Sequence, residues 1–314
     1  MAAETAIVIH GGAGTIIKEK MSPDIEAKYR SVLKQSIEAG YAVLKSGGSS
    51  TDAVISSIKV MEDSPLFNAG HGAVFNHQGQ VELDASIMNG DDLNAGAATG
   101  ISNVRNPIVL AQKVMEESPH VMLMGQGAEN FAKEQGLTIV NNEYFHTERR
   151  LRQLKKLQKS SDRPGLSESE EDEFETQKFS TVGAVAIDSQ GRISAGTSTG
   201  GMTNKRYGRI GDSPIIGAGT YADSSYCGIS ATGHGEYFIR AAVAYDICAR
   251  VNYKGIALQE AADQVILDKL KQMGGDGGVI GIDSDANIIY SFNTPGMYRA
   301  KIDKTGRYEV AIFR

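Results

Sequence analysis

The 314-residue chain has no tryptophan, only two cysteines, and no apolar run approaching the length needed to span a bilayer. Cys227 and Cys248 are too few for a disulfide framework, and the expectation is a pair of buried, reduced thiols. His10, His71, His77, His120 and His146 show none of the paired spacing that builds a catalytic zinc site. An excess of charge is missing as well. The net charge is −6, and the stretch Glu168–Glu175 alone holds six acids and no base; without it, 32 acids face 32 bases. A neutral body argues against a nucleic-acid or membrane surface role. The first five residues, Met-Ala-Ala-Glu-Thr, carry neither a basic nor an apolar region of signal-peptide length, so a cytoplasmic location is expected.

What is present is a series of helices and hairpins. Ser22-Pro23 reads as a helix start, with Ile25, Tyr29, Val32, Leu33, Ile37, Val43 and Leu44 on one face and Gly47-Gly48 as the stop. A second helix is expected over 52–61, capped by Ser50 or Thr51. Residues 74–75 and 81–88 suggest a hairpin in which Asp84 is solvated. Helices are expected at 107–117, 128–135 and 147–159, the last basic and largely solvated, and a strand at 121–124. The segment 160–178 is rich in Ser, Glu and Asp and is expected to be disordered. Beyond it, strands are expected at 182–187, 193–199, 215–221, 227–232, 279–283, 288–292 and 308–313, with helices at 233–249 and 258–273. Hairpins imply antiparallel pairing, and helices in both halves imply covered outer faces, so the chain reads as one α+β domain with two antiparallel sheets between helix layers.

The centre of this pattern is Thr181, at the head of the buried strand Val182–Ile187 and directly after the acidic stretch. A threonine opening a strand is ordinary. If the peptide bond before it were cut, however, Thr181 would carry a free α-amine beside its own hydroxyl. An α-amine has a reference pKa of about 8, near enough to neutrality to activate that hydroxyl as a base.

Thr181-Val-Gly-Ala-Val-Ala, Thr197-Ser-Thr-Gly-Gly-Met-Thr-Asn-Lys, Gly208-Arg-Ile-Gly-Asp-Ser-Pro214 and Thr232-Gly-His-Gly-Glu236 resemble the plant-type asparaginase/isoaspartyl peptidase family. His10-Gly-Gly-Ala-Gly14 and Phe67-Asn-Ala-Gly70 match it too, and Tyr144-Phe145 with Thr147-Glu-Arg-Arg150 bring the chain nearest to the bacterial isoaspartyl peptidases. The resemblance covers nearly the whole chain, failing only around 158–180. It implies the αββα four-layer sandwich of N-terminal-nucleophile (Ntn) hydrolases, and self-cleavage between Ser180 and Thr181 into an α subunit (1–180) and a β subunit (181–314). It implies Thr181 as nucleophile, with Thr199 and Thr232 hydrogen-bonding around it, and Thr232, Gly233 and Asn68 at the oxyanion. Arg209, Ile210, Gly211, Asp212, Thr232, Gly233, His234 and Gly235 would surround an asparagine or β-aspartyl dipeptide. Within that set a guanidinium suits the α-carboxylate and Asp212 the α-ammonium. No cofactor is implied for catalysis. A structural sodium ion is implied on the backbone of Met61, Glu62, Ser64, Phe67, Ala69 and His71; a potassium ion, held around 114–119 in some plant members, is not required here. A homodimer of cleaved αβ units, a heterotetramer, is implied as the assembly.

Three other readings compete. Gly196-Thr-Ser198-Thr-Gly200 matches the G-x-S-x-G elbow, and Asp212 and His234 follow in α/β-hydrolase order, but the strand–turn–helix context is missing. Arg209 and Asp212, three residues apart, could be a plain surface ion pair. Finally, Ser180 stands where the family has glycine; a chain left uncut would keep the Thr181 nitrogen as an amide, which is no base, and would be a silent precursor acting as a structural or binding module.

Overall fold

The computed structural model describes residues 4–161 and 181–314. The acidic stretch and Ser180 lie outside the described residues. So do most of the segment expected to be disordered, 160–178, whose first two residues are instead helical, and the cleavage expected at Ser180–Thr181. The first half contributes β1 (Ala6–Gly14), α1 (Pro23–Lys45), α2 (Ser50–Glu62), β2 (Leu83–Asn89), β3 (Ala95–Ile101), α3 (Pro107–Glu117), β4 (Met122–Met124), α4 (Gly125–Glu134) and α5 (Glu148–Ser161). The second half contributes β5 (Val182–Ile187), β6 (Ile193–Thr199), β7 (Thr220–Asp223), β8 (Cys227–Gly233), α6 (Gly235–Ala241), α7 (Val243–Lys254), α8 (Leu258–Asp263), β9 (Gly277–Asp283), β10 (Ile288–Phe292), β11 (Gly296–Ile302) and β12 (Tyr308–Phe313).

One sheet runs β12-β11-β1-β5-β6-β2-β3-β4 and the other β10-β9-β8-β7. β1 and β5 are antiparallel neighbours, Ile9 opposite Ala184, so strands from the two halves of the chain lie side by side in one sheet. Strand parity then sorts the side chains into layers. Ile7, Ile9, Val182 and Ala184 point outward against Tyr29, Leu33 and Ile37 of α1 and Val54 and Ile58 of α2. Val8, Val185, Ile187, Ile193 and Ala195 point inward and meet Ile280 and Ile282 of the second sheet. That sheet turns Cys227, Ile229, Ala231 and Val279 toward Phe238, Ile247, Leu258 and Val265 of the outer helices. The result is the four-layer αββα sandwich of the Ntn hydrolases. Burial of each large aliphatic side chain contributes roughly 1.5–3 kcal/mol.

Several local expectations need correction. The pairing of β3 with β4 is parallel, so the larger sheet is mixed, and β3 and β11 had no expected counterpart. The cap of α2 is Ser49, whose Oγ accepts from the Asp52 N–H. The 74–88 hairpin reduces to a single bridge, Phe75–Val81, and β2 pairs with β6 and β3 instead. Asp84 is therefore buried, accepting from the Thr99 hydroxyl and from the Gly100 N–H at 2.9 Å. The 233–249 helix breaks at Ala242, whose backbone is left-handed (φ 49°). The helix beginning at Leu258 passes into π-helical turns over Gln264–Leu270. Ile215–Gly219 is loop rather than strand. Cys227 and Cys248 are not reduced thiols but a disulfide: packing α7 onto β8 brings their Cα atoms to 5.8 Å, within bridging distance.

Candidate active site

The site lies at one end of the space between the sheets. Thr181 and Thr199 sit on adjacent strands with inward parity, because Val182 pairs with Ser198 and the inward positions flank that pair. Their hydroxyls are 3.0 Å apart. Thr199 Oγ1 also accepts from the Gly201 N–H at 3.0 Å, which leaves its own proton available to Thr181. Both side chains are buried. Thr181, Thr199, Gly201, Met202, Arg209, Gly211, Asp212, Ser213 and Gly233 line one pocket.

Of the residues expected to act together, the pocket wall thus gathers Thr181, Thr199, Arg209, Gly211, Asp212 and Gly233. Thr232 is fully buried in β8, next to Gly233, and its Oγ1 has no hydrogen-bond partner among the described residues. A buried hydroxyl left in that state is costly and is suited to donate to a ligand atom. Gly233 (φ 156°) could not carry a side chain: a Cβ there would lie 2.4 Å from the Asp276 carbonyl oxygen.

Asn68 stands behind the wall. Its Nδ2 donates to the Gly201 carbonyl at 2.7 Å and its Oδ1 accepts from the Val74 N–H at 2.9 Å. Its backbone carbonyl accepts from Gly200 N–H at 3.0 Å, so this residue holds the turn after Thr199. Ile210 is exposed on the loop and does not line the pocket. His234 and Gly235 lie just outside it. A Cβ on Gly235 would meet Arg209 Nη2 at 2.9 Å and Asp212 Oδ1 at 3.0 Å, so glycine is what lets the two charged groups close up.

The electrostatics separate these two groups. Arg209 forms a two-pronged pair with Glu236, Nε to Oε1 at 2.9 Å and Nη2 to Oε2 at 2.8 Å, and this bond holds the Glu236 carboxyl below its ordinary range. The surface Arg209–Asp212 pair is not what forms. Asp212 is fully buried, and desolvation pushes its carboxyl up to about 7, against its own backbone hydrogen bond and the attraction of Arg209. Its Oδ2 has no partner among the described residues. A buried carboxyl with an unpaired oxygen is a receptor for a cationic hydrogen-bond donor. Neither Glu236 as the partner of Arg209 nor Met202 and Ser213 as wall residues was singled out from sequence, although all three lie inside the motif runs quoted above.

The loop from Met61 to His71 curls on itself. The Glu62 carbonyl accepts from His71 N–H at 2.7 Å. A Cβ on Gly72 would meet the Pro65 and Phe67 carbonyl oxygens at 2.6 and 2.9 Å, and one on Gly70 the Glu62 oxygen at 2.4 Å. Such inward-crowded carbonyls fit a hard cation. No cluster of three His, Cys, Asp or Glu that could hold a metal occurs among the described residues. No helix among them is long and apolar enough to cross a membrane.

Comparison with known proteins places the chain in a family. Residues 3–312 match the family model described as "Asparaginase". An isoaspartyl peptidase of Escherichia coli K12 is 48% identical, the alignment covering 95% of this chain and 92% of the relative. An isoaspartyl peptidase/L-asparaginase of Xenopus laevis is 41% identical over 98% of this chain and 94% of its own. A plant-type L-asparaginase of Pyrococcus furiosus is 44% identical over 93% and 94%. With a family match spanning nearly every residue and relatives of this similarity along their whole length, the chain belongs to the asparaginase family.

Proposed function

We propose that the protein is a threonine-nucleophile amidohydrolase that releases L-aspartate from β-aspartyl dipeptides and L-asparagine, matured by self-cleavage before Thr181. The observation that carries this reading is the 3.0 Å contact between the Thr181 and Thr199 hydroxyls in the pocket that Arg209 and Asp212 also line. Relatives named isoaspartyl peptidase and L-asparaginase support the substrate class.

In maturation, Thr181 Oγ attacks the Ser180 carbonyl carbon, the peptide C–N bond breaks to leave an ester and a free Thr181 amine, and water then hydrolyses the ester to the Ser180 carboxylate and the Thr181 hydroxyl. In turnover, that amine takes the Thr181 hydroxyl proton as Oγ attacks the side-chain carbonyl of the substrate. The tetrahedral oxygen draws on the Thr232 hydroxyl and the Gly233 N–H; a lost donor of this kind typically costs about 3–4 kcal/mol. Collapse expels ammonia or an amino acid with the proton returned, and water then hydrolyses the β-aspartyl ester. Arg209 holds the substrate carboxylate through the guanidinium edge not given to Glu236, and Asp212 holds the α-ammonium.

A sodium ion on the Met61, Glu62, Ser64, Phe67, Ala69 and His71 carbonyls would supply no chemistry; these residues would fix the loop that carries Asn68. The resemblance supports a dimer of αβ units, which sedimentation of the mature protein tests. A cytoplasmic location would keep thiols reduced, so alkylation of Cys227 and Cys248 in freshly lysed, denatured cells tests both the location and the bridge. The function itself is tested by mass spectrometry and assay: two fragments, one beginning at Thr181, and turnover of asparagine and a β-aspartyl dipeptide are expected. A single 33.5 kDa chain without turnover would make it the silent precursor instead.

A further inference from the structure

His10 is fully buried between the sheets, and no step above uses it. Its parity in β1 matches that of Ala6 and Val8, so it points inward, across from β8. Nδ1 lies 3.0 Å from the Thr181 carbonyl oxygen and Nε2 lies 3.0 Å from Ser230 Oγ. Room for this contact exists because residue 183 is glycine: a Cβ there would meet Ser230 Oγ at 2.0 Å and His10 Nε2 at 2.4 Å.

We propose that His10 is a positioning residue for the nucleophile, its ring locked by a one-way chain of hydroxyls so that Nδ1–H always donates to the Thr181 carbonyl. The inference rests on the reading of Thr181 as nucleophile. A carbonyl oxygen only accepts, so Nδ1 carries a proton. Complete desolvation outweighs the Thr181 hydrogen bond and holds the ring's pKa near 3, so the ring is neutral and Nε2 is bare. Nε2 then requires a donor, and Ser230 spends its one proton there rather than on the Gly196 carbonyl. Ser230 Oγ in turn accepts from Thr197 Oγ1 at 2.7 Å, and Thr197 accepts from Thr220 Oγ1 at 2.7 Å. Ser86 Oγ heads the chain: its one proton, within 2.6 Å of the carbonyl of Ser213, a pocket-wall residue, goes instead to Thr220 Oγ1 at 2.8 Å. The chain thus has one direction, set at the His10 end, and the hydroxyls spend their protons along it rather than on the Gly196, Gly219 and Ser213 carbonyls.

The purpose follows from the cut. Once the bond before Thr181 is broken, this residue has a covalent neighbour on one side only, and the ladder to β6 begins at Val182. The His10 bond fixes the Thr181 carbonyl plane and with it the position of Cα, leaving the amine and hydroxyl only rotation about the Cα–C bond, which the Thr199 contact restricts. A misplacement of about 1 Å in a reacting group can cost roughly 100-fold in rate.

The test is nitrogen-15 NMR of histidine-labelled, mature wild-type protein, combined with kinetics. His10 is expected as the Nδ1–H tautomer, unchanged from pH 5 to 9; an Nε2–H ring, or one that titrates in that interval, overturns the proposal without recourse to a variant. His10→Phe, assayed as purified two-fragment protein, should lower kcat about 10- to 100-fold while KM stays within about threefold. His10→Asn, whose amide N–H falls near the Nδ1 position, should recover most of that loss. A His10→Phe enzyme with wild-type kcat beside an inactive Thr181→Ala would sink the positioning role alone. Turnover by Thr181→Ala would sink the nucleophile reading itself.

Discussion

Arg209 and Glu236, 27 positions apart in sequence, meet through two parallel hydrogen bonds of 2.9 and 2.8 Å at the pocket rim. The pair fixes the plane of the guanidinium before any substrate arrives, and Nη1 lies toward Gly211, a wall residue. A lysine would keep the charge but lose the fork to Glu236 and the second edge for the substrate carboxylate. Arg209→Lys should lower kcat/KM for asparagine about 10- to 100-fold, since a charge-assisted hydrogen bond contributes roughly 1.5–3 kcal/mol. Self-cleavage should survive, because the Ser180–Thr181 bond offers Arg209 no α-carboxylate. Mature Arg209→Lys protein with wild-type kcat/KM would exclude the carboxylate role.

Thr181→Ala should give a folded, full-length, inactive chain, because one hydroxyl serves both cleavage and turnover. Removing it from a site already 7% exposed loses one hydrogen bond, to Thr199, so the melting temperature should move by only a few degrees. Gel mobility and a thermal melt are sufficient; two fragments from this variant would rule out Thr181 as the agent of cleavage.

Gly235→Ala tests the packing of the two recognition groups. The new methyl would lie 2.9 Å from Arg209 Nη2 and 2.9 Å from the Asp212 backbone nitrogen, and the backbone atom cannot simply swing away. Displacing a recognition pair by a few tenths of an ångström weakens substrate binding more than chemistry, so KM for asparagine should rise about tenfold, equivalent to roughly 1.4 kcal/mol, with kcat changed less. A KM equal to wild type would show that this close approach has no bearing on recognition.

The parts legible in the sequence are those whose cause is local. Ser22-Pro23 announces α1, and the turn residues Ser189–Arg192 between two apolar runs announce the central hairpin, whose register then puts Thr181 and Thr199 on one face. What could not be read depends on partners far away. β3 escaped notice because Ala95–Ile101 is mostly alanine and glycine, lacking the branched residues that mark strands. With β3 unseen, the Thr99 hydroxyl that binds Asp84 was unseen too, and Asp84 was placed in solvent. The same holds for the disulfide, where 21 residues separate two cysteines that only the docking of α7 on β8 brings together. From sequence His10 is only the first residue of a family motif; its surroundings need β5 beside it and β8 above it, from the other half of the chain.

Asp212 sets the last expectation. Burial pushes its carboxyl up to about 7, so a good part of the free enzyme carries it neutral at neutral pH. A protonated Asp212 cannot pair with the charge of the substrate's α-ammonium. As pH rises through 7 the carboxylate forms and binding should strengthen, so KM for asparagine should fall between about pH 5.5 and 8, by up to tenfold per unit on the acid side. The Thr181 amine also gains activity with rising pH, because it must be neutral to act as a base, with a reference pKa of about 8. The two contributions separate cleanly. In the enzyme–substrate complex the bound ammonium keeps Asp212 ionised, so its limb appears in kcat/KM and not in kcat, whereas the amine appears in both. Succinamate, which is asparagine without its α-ammonium, should lose the Asp212 limb and keep the amine limb. Asp212→Asn should remove the same limb for asparagine and raise KM at pH 8. A KM for asparagine that stays flat from pH 5.5 to 8 would remove Asp212 from recognition of the ammonium.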